Sequence, residues 1–224
     1  MKPRRAWLGL LALIIIAAPM GCRGYADPAI LTQAVGKLQA AQSYRFTISA
    51  VHRWSFEGQE QEYSFSGSGA YSSDRFQSHM EGPVDTFFWV EIIGDTVQAR
   101  DARGDVPGPP TTFGGPGPGT APYTVIHYLI NLGEVEGAGT ATLSGIDAYH
   151  YRFWPQMTAI TALDEAHMEA MKRVKKVEGE AWVDKKENII LQEKVKVDFL
   201  NPQGETESVT MTVSFSHFNE PVEF

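Results

Sequence analysis

Residues 44–56 read YRFTISAVHRWSF, a run in which apolar and polar side chains alternate. Tyr44, Phe46, Ile48, Ala50, Trp54 and Phe56 fall on one face; Arg45, Thr47, Ser49, Arg53 and Ser55 fall on the other. A period of two marks an extended strand with one dry and one wet face, and a wet face points to an antiparallel sheet. Thirteen residues at ~3.3 Å each reach about 43 Å. A strand of that length must coil and curve with its sheet.

The pattern recurs down the chain. GQEQEYSFSGSGAYSS returns with Tyr63, Phe65 and Tyr71 on one face, and Gly58 turns the hairpin. Gly67 and Gly69 lie mid-strand on the Phe65 face, which suits a bend or the close approach of another group. DRFQSHME and DTFFWVEIIGDTVQARD continue the meander. Around Phe87-Phe88-Trp89 both faces turn apolar, as in a strand covered on both sides. TATLSGIDAYHYRFWP predicts strand, turn and strand. EGEAWVDKKENIILQEKVKVDFL, turning at 184–188, and ESVTMTVSFSHF close the chain, with Val209, Met211, Val213 and Phe215 alternating with Ser and Thr.

Three helices interrupt the strands. Asp27-Pro28 is a start signal, an N-cap carboxylate before a proline at the first helical position. Ile30, Leu31, Ala34, Val35, Leu38 and Ala41 follow at helical spacing over 28–42. A short helix carries Val125, Ile126, Leu129 and Leu132. Another, over 162–174, carries Leu163, Ala166, Ala170, Met171 and Val174. Residues 104–122, more than half Gly and Pro, predict a loop with neither helix nor strand. Its GGPGPG lacks the flanking strand and Lys-Ser/Thr of a phosphate-binding loop. A loop of this length is often a lid or binding loop, and Phe113 is its apolar tip. The fold class expected is α+β: one large curved antiparallel sheet, a half-barrel, with a few amphipathic helices on its concave face. Three modest helices leave apolar surface that must collapse, pair, or hold an apolar ligand.

The N-terminus sets the compartment. Met1-Lys2-Pro3-Arg4-Arg5 is basic, Trp7 to Ala18 is apolar apart from Gly9, and small residues follow. This is the layout of a secretory signal peptide, too short to span a bilayer. The expected division is a signal over 1–21 and a single domain over 22–224. Cys22 is the only cysteine, so it has no internal disulfide partner. Ala18-Pro19-Met20-Gly21-Cys22 resembles a bacterial lipobox, in which the Cys becomes an acylated N-terminus. Cleavage after Ala26 is the alternative. Multiple acyl chains, palmitate among them, anchor a protein stably, on the plasma or the outer membrane. Without residues 1–21 the chain keeps 16 Lys and Arg against 27 Asp and Glu. So acidic a protein is unsuited to nucleic acid.

No catalytic constellation is legible. The six histidines, at 52, 79, 127, 150, 167 and 217, show no metal spacing, and there is no Gly-x-Ser-x-Gly elbow. The expectation is a non-enzyme without cofactor or metal.

The order of elements resembles the LppX/LprG group of actinobacterial lipoproteins and, more distantly, the LolA/LolB carriers. The residues that carry the resemblance are Cys22, DPAILTQAVGKLQAAQSYRFTI, VEIIGDTVQARD, LSGIDAYHYRF, GEAWVDKKENII and the closing FSHFNEPVEF. The 104–122 loop departs from the group, replacing a Trp-bearing stretch. The resemblance implies a half-barrel that cradles acyl chains and an exported, lipid-anchored monomer that binds or carries lipid. The face expected to line the site is Tyr44, Phe46, Ile48, Trp54, Phe56, Phe65, Val213 and Phe215, closed by the helices over 28–42 and 162–174. The competing expectation is an anchored scaffold or sensor whose core its own side chains fill.

Overall fold

The computed structural model describes residues 26–82, 87–93, 96–101, 104–105, 122–157, 171–201 and 203–224. The signal segment, Cys22, Phe113 and most of the helix expected over 162–174 lie outside them.

Eleven antiparallel strands form one sheet in the order β6-β5-β4-β3-β2-β1-β11-β10-β9-β8-β7. They are β1 (Ser43–Phe56), β2 (Gln59–Ser72), β3 (Arg75–Glu81), β4 (Phe87–Ile93), β5 (Thr96–Asp101), β6 (Gly104–Asp105), β7 (Leu132–Leu143), β8 (Ile146–Pro155), β9 (Val174–Asp184), β10 (Ile190–Leu200) and β11 (Thr206–Ser216). First and last strands meet at the centre, Phe46 opposite Phe215 and Ile48 opposite Val213. Two meanders run outward from this seam. The hairpins at 57–58 and 144–145 are two-residue turns with both φ values positive, the twist-matched kind that favours glycine second.

Helix α1 (Pro28–Ala40) begins as the sequence indicates. The Asp27 side chain accepts a 2.9 Å hydrogen bond from the Ala29 amide, and Pro28 takes the first turn. Leu31, Ala34, Val35, Leu38 and Ala41 are buried. The Tyr151 hydroxyl donates to the Asp27 carbonyl oxygen at 3.1 Å, tying the start of α1 to β8. Helix α2 (Pro122–Ile130) buries Val125, Ile126, Tyr128 and Leu129. Nine residues are marginal for a free helix, so packing holds α2 in place. Alpha1 packs on β7, β9, β10 and α2, and α2 on β8, β10 and β11. The face they cover is the inner face.

Three expectations need correction. Leu132 is not on α2 but opens β7, where it pairs with Pro155. Val174 opens β9 rather than ending a helix; of the described residues just before it, Met171 and Lys172 are helical and Arg173 is a turn. The 104–122 segment is not loop throughout. Gly104 and Asp105 pair with Asp101 and Arg100, and Pro122 starts α2. Composition weighs a window as a whole, whereas pairing to β5 and the helix-starting role of proline act at its two ends.

Candidate functional site

Period-2 geometry delivers the expected face as one surface. Tyr44, Phe46, Ile48 and Phe65 are buried on the inner side of β1 and β2, as are Val213 and Phe215 on β11. Trp54 is half-buried at the hairpin end. The side chain of Phe56 lies outside what the structure describes.

The surface is organised by rings. Tyr44 stacks on Tyr71 at 4.8 Å between centroids and meets Phe215 edge-on at 5.7 Å. Phe46 stacks on Phe76 at 5.4 Å. Offset and edge-to-face pairs of this kind stabilise beyond their buried area. Gly69 explains how Phe46 lies so flat. It is opposite Phe46 across β1 and β2, and a Cβ there would strike the Phe46 ring. At Gly67 a Cβ would strike the backbone of His79 and Met80. These are the close approaches that mid-strand glycines imply.

Toward the β1–β2 hairpin the inner face turns amphipathic. His52 lies 5.0 Å from Trp54, and Trp54 lies 4.7 Å from Tyr63, which is half exposed. His52 Nε2 and Glu207 Oε2 are 2.7 Å apart. The inner surface therefore runs from close-packed rings to an aromatic, partly polar rim.

One further expectation needs correction: as a sequence the run Glu193-Lys194 reads as a solvated face, yet Glu193 is buried. Glu193 on β10 lies between Val213 of β11 and Ala181 of β9. It is 0% exposed, and neither carboxyl oxygen has a hydrogen-bond partner among the described residues. Burial pushes its pKa well above the ordinary carboxylate range. The Leu129 amide of α2 pulls the other way, but its geometry falls short of a hydrogen bond, so burial dominates and favours the uncharged carboxyl. The pattern held the signal: in ILQEKVKVDFL, Glu193 falls in phase with Val195, Val197 and Phe199, the buried positions.

The outer face is polar and holds two grooves. One of about 730 Å³ is lined by Arg45, Thr47, Ser68, Gln77, His79 and Trp89 among others. The second, about 570 Å³, is lined by Arg53, Arg152, Trp154, Glu178, Lys194 and Lys196 among others. Glu180 there lies 2.8 Å from His150 and 3.4 Å from Lys194, and His150 stacks on Trp182. Cross-strand pairs of opposite charge are ordinary support for a solvated sheet face. Among the described residues, no three His, Cys, Asp or Glu side chains gather as a metal site. No described helix is long and apolar enough to cross a membrane.

No protein-family model matches the chain, and no curated protein matches it. Solved structures do. Lipoprotein LppX of Mycobacterium tuberculosis is 12% identical, with a TM-score of 0.49 over 88% of this chain and 99% of that one. LprF of Mycobacterium bovis is 10% identical, with a TM-score of 0.47 over 89% and 97%. A LolA superfamily protein of Nitrosomonas europaea is 9% identical, with a TM-score of 0.32 over 88% and 94%. At these identities the likeness is one of fold alone.

Proposed function

We propose that the chain is an exported lipoprotein, anchored through acylated Cys22, that binds the acyl chains of a lipid against the inner face of its half-barrel. The observation that supports this is how unevenly the inner face is covered. The principal packing of α1 and α2 is against β7 to β11, while the apolar face of β1 to β4 continues beyond them through Phe46, Phe65, Phe76, Met80 and Val90. An acyl chain entering there leaves water at about 0.8 kcal/mol per CH₂, less the cost of ordering it. Tyr44, Phe46, Ile48, Trp54, Phe56, Phe65, Val213 and Phe215 are the proposed lining. The partners are a lipid and the membrane that holds the anchor, and the protein performs no chemistry on its ligand.

A filled core is the second reading, favoured by the stacking of Phe46 on Phe76. It makes the protein an anchored scaffold or sensor with no ligand. Two measurements separate these readings. Mass spectrometry of organic extracts of the purified protein finds stoichiometric lipid if the inner face carries acyl chains, and none if the core is permanently filled. Cys22→Ser shifts the protein from the membrane pellet to the soluble fraction; a variant that stays in the pellet after a salt wash removes the anchor from the proposal.

A further inference from the structure

Glu193 is a buried carboxyl on the inner face that an apolar core does not need. A buried polar group without a partner costs roughly 1–3 kcal/mol, and each such group in a folded protein calls for an explanation. Leu or Val at 193 would continue the run Val195, Val197, Phe199 without that cost. Both Glu193 oxygens are buried without a hydrogen-bond partner among the described residues, beside the Leu129 amide of α2 and in register with Val213, one of the proposed lining residues. Alpha2, at nine residues, is shorter than α1, and it packs on β10. It is the element whose displacement would open the inner face at Glu193.

We propose that Glu193 is the polar anchor of the acyl site, where its carboxyl O–H donates a hydrogen bond to the carbonyl oxygen of an acyl ligand that enters over β1 to β4 and reaches past Val213 beneath α2. The inference rests on the acyl-binding reading and sharpens it. The preferred ligand carries an uncharged hydrogen-bond acceptor, an ester or protonated acid, at the end that reaches Glu193, rather than being bare hydrocarbon. A carboxyl in dry surroundings is suited to this. It is uncharged, so it does not demand a cation, and in low dielectric its hydrogen bond is stronger than the same bond in water. An alkane would leave it as unsatisfied as before, which is how a buried polar group rejects a ligand lacking its complement.

The test loads the purified, delipidated chain from cyclodextrin with methyl palmitate or with hexadecane and counts bound molecules by mass spectrometry. Wild type is expected to take up the ester about tenfold more strongly relative to the alkane than Glu193→Leu does, the size of one net hydrogen bond. Glu193→Gln, which keeps a donor, is expected to hold most of the preference. With a ¹³C-labelled carbonyl, the infrared stretch of the ester in wild type falls below its value in dry hydrocarbon; this reading needs no variant and stands even if Glu193→Leu fails to fold. An unshifted carbonyl stretch, or a preference for the ester unchanged in Glu193→Leu, overturns the role of Glu193 while acyl binding stands. Uptake of neither probe overturns the acyl-binding reading itself.

Discussion

The two meanders that flank the β1–β11 seam solve the same problem differently. On the β7 to β11 side the inner face is mostly small and aliphatic, with Val177, Ala181, Val183, Val195, Val197 and Val209 buried, and two helices seat on it. On the β1 to β6 side neither α1 nor α2 makes its main packing. There rings pack on rings, Tyr44 on Tyr71 and Phe46 on Phe76, with Gly69 making room for Phe46; on the helix-seated side Gly179 makes room in the same way for Phe153. Among the described elements, then, α1 and α2 seat mainly on one side of the seam, and ring-on-ring packing organises the other.

The largest effect should come from removing a ring on each side. Phe153→Ala, on the helix-seated side, is expected to lower stability by about 3–5 kcal/mol. Phe46→Ala is expected to cost less by at least ~1 kcal/mol if its face lines an acyl site, because such a face need not be close-packed in the empty protein. Urea unfolding of delipidated protein reads both. Equal losses would erase the distinction between the two sides and favour the filled core.

Adding one carbon tests the same contrast from the opposite direction. A Cβ on Gly179 would strike the Phe153 ring, and one on Gly69 would strike Phe46 and the Gln77 carbonyl. Overpacking costs about 1–3 kcal/mol. Gly179→Ala should fall at the upper end, since α1 and α2 resist movement of β9 and β10. Gly69→Ala should fall lower, since the Phe46 ring can turn aside, although the Gln77 backbone cannot. If Gly69→Ala proves the costlier, the aromatic side is the rigid one.

The two sides also bury carboxylates differently, and pH reads this with the smallest effect. Glu91 is buried on β4 with Arg75 as its partner, Nε to Oε1 at 2.6 Å. Glu193 has no partner among the described residues. Because the folded state holds the Glu193 proton more tightly than the unfolded chain, its contribution to stability is whole below the ordinary carboxylate range. That contribution is lost as pH rises from there to the raised folded value. The loss is no more than about 1.4 kcal/mol for each pH unit in that window. Other buried titratable groups on this side, Tyr128 and Tyr151, are pushed upward from an already high phenol value and stay uncharged throughout. Thermal unfolding against pH should show the slope in wild type and its removal in Glu193→Gln. A slope retained by the variant would mean that another group carries it.

Much of this architecture was legible from the chain, for reasons local to it. Alternation in β1 and β11 set which side chains share a face, because successive residues of a strand point to opposite sides. Asp27-Pro28 marked where α1 begins, because capping and a fixed φ act within a few residues. The glycines at 67 and 69 signalled close approach because a missing Cβ has few other uses mid-strand. Where pattern and composition were read too broadly, the ends were misplaced: Leu132 and Val174 belong to strands, and Gly104 and Asp105 pair with β5. Periodicity cannot mark the residue at which a helix yields to a strand.

What the sequence determined by itself was the existence of one long, one-sided antiparallel sheet and the identity of its apolar face. Only the tertiary structure decided that β1 pairs with β11, which ring settles over which glycine, and that α1 and α2 seat mainly on β7 to β11. It also decided that Glu193, a charged letter in the sequence, is a neutral group beneath a helix. The physical reason is separation along the chain. Face and period are written in neighbouring residues, but the pairing of Phe46 with Phe215 and the burial of Glu193 by Leu129 depend on segments distant in sequence. Their meeting is selected by the packing of the whole inner face and not by any local preference.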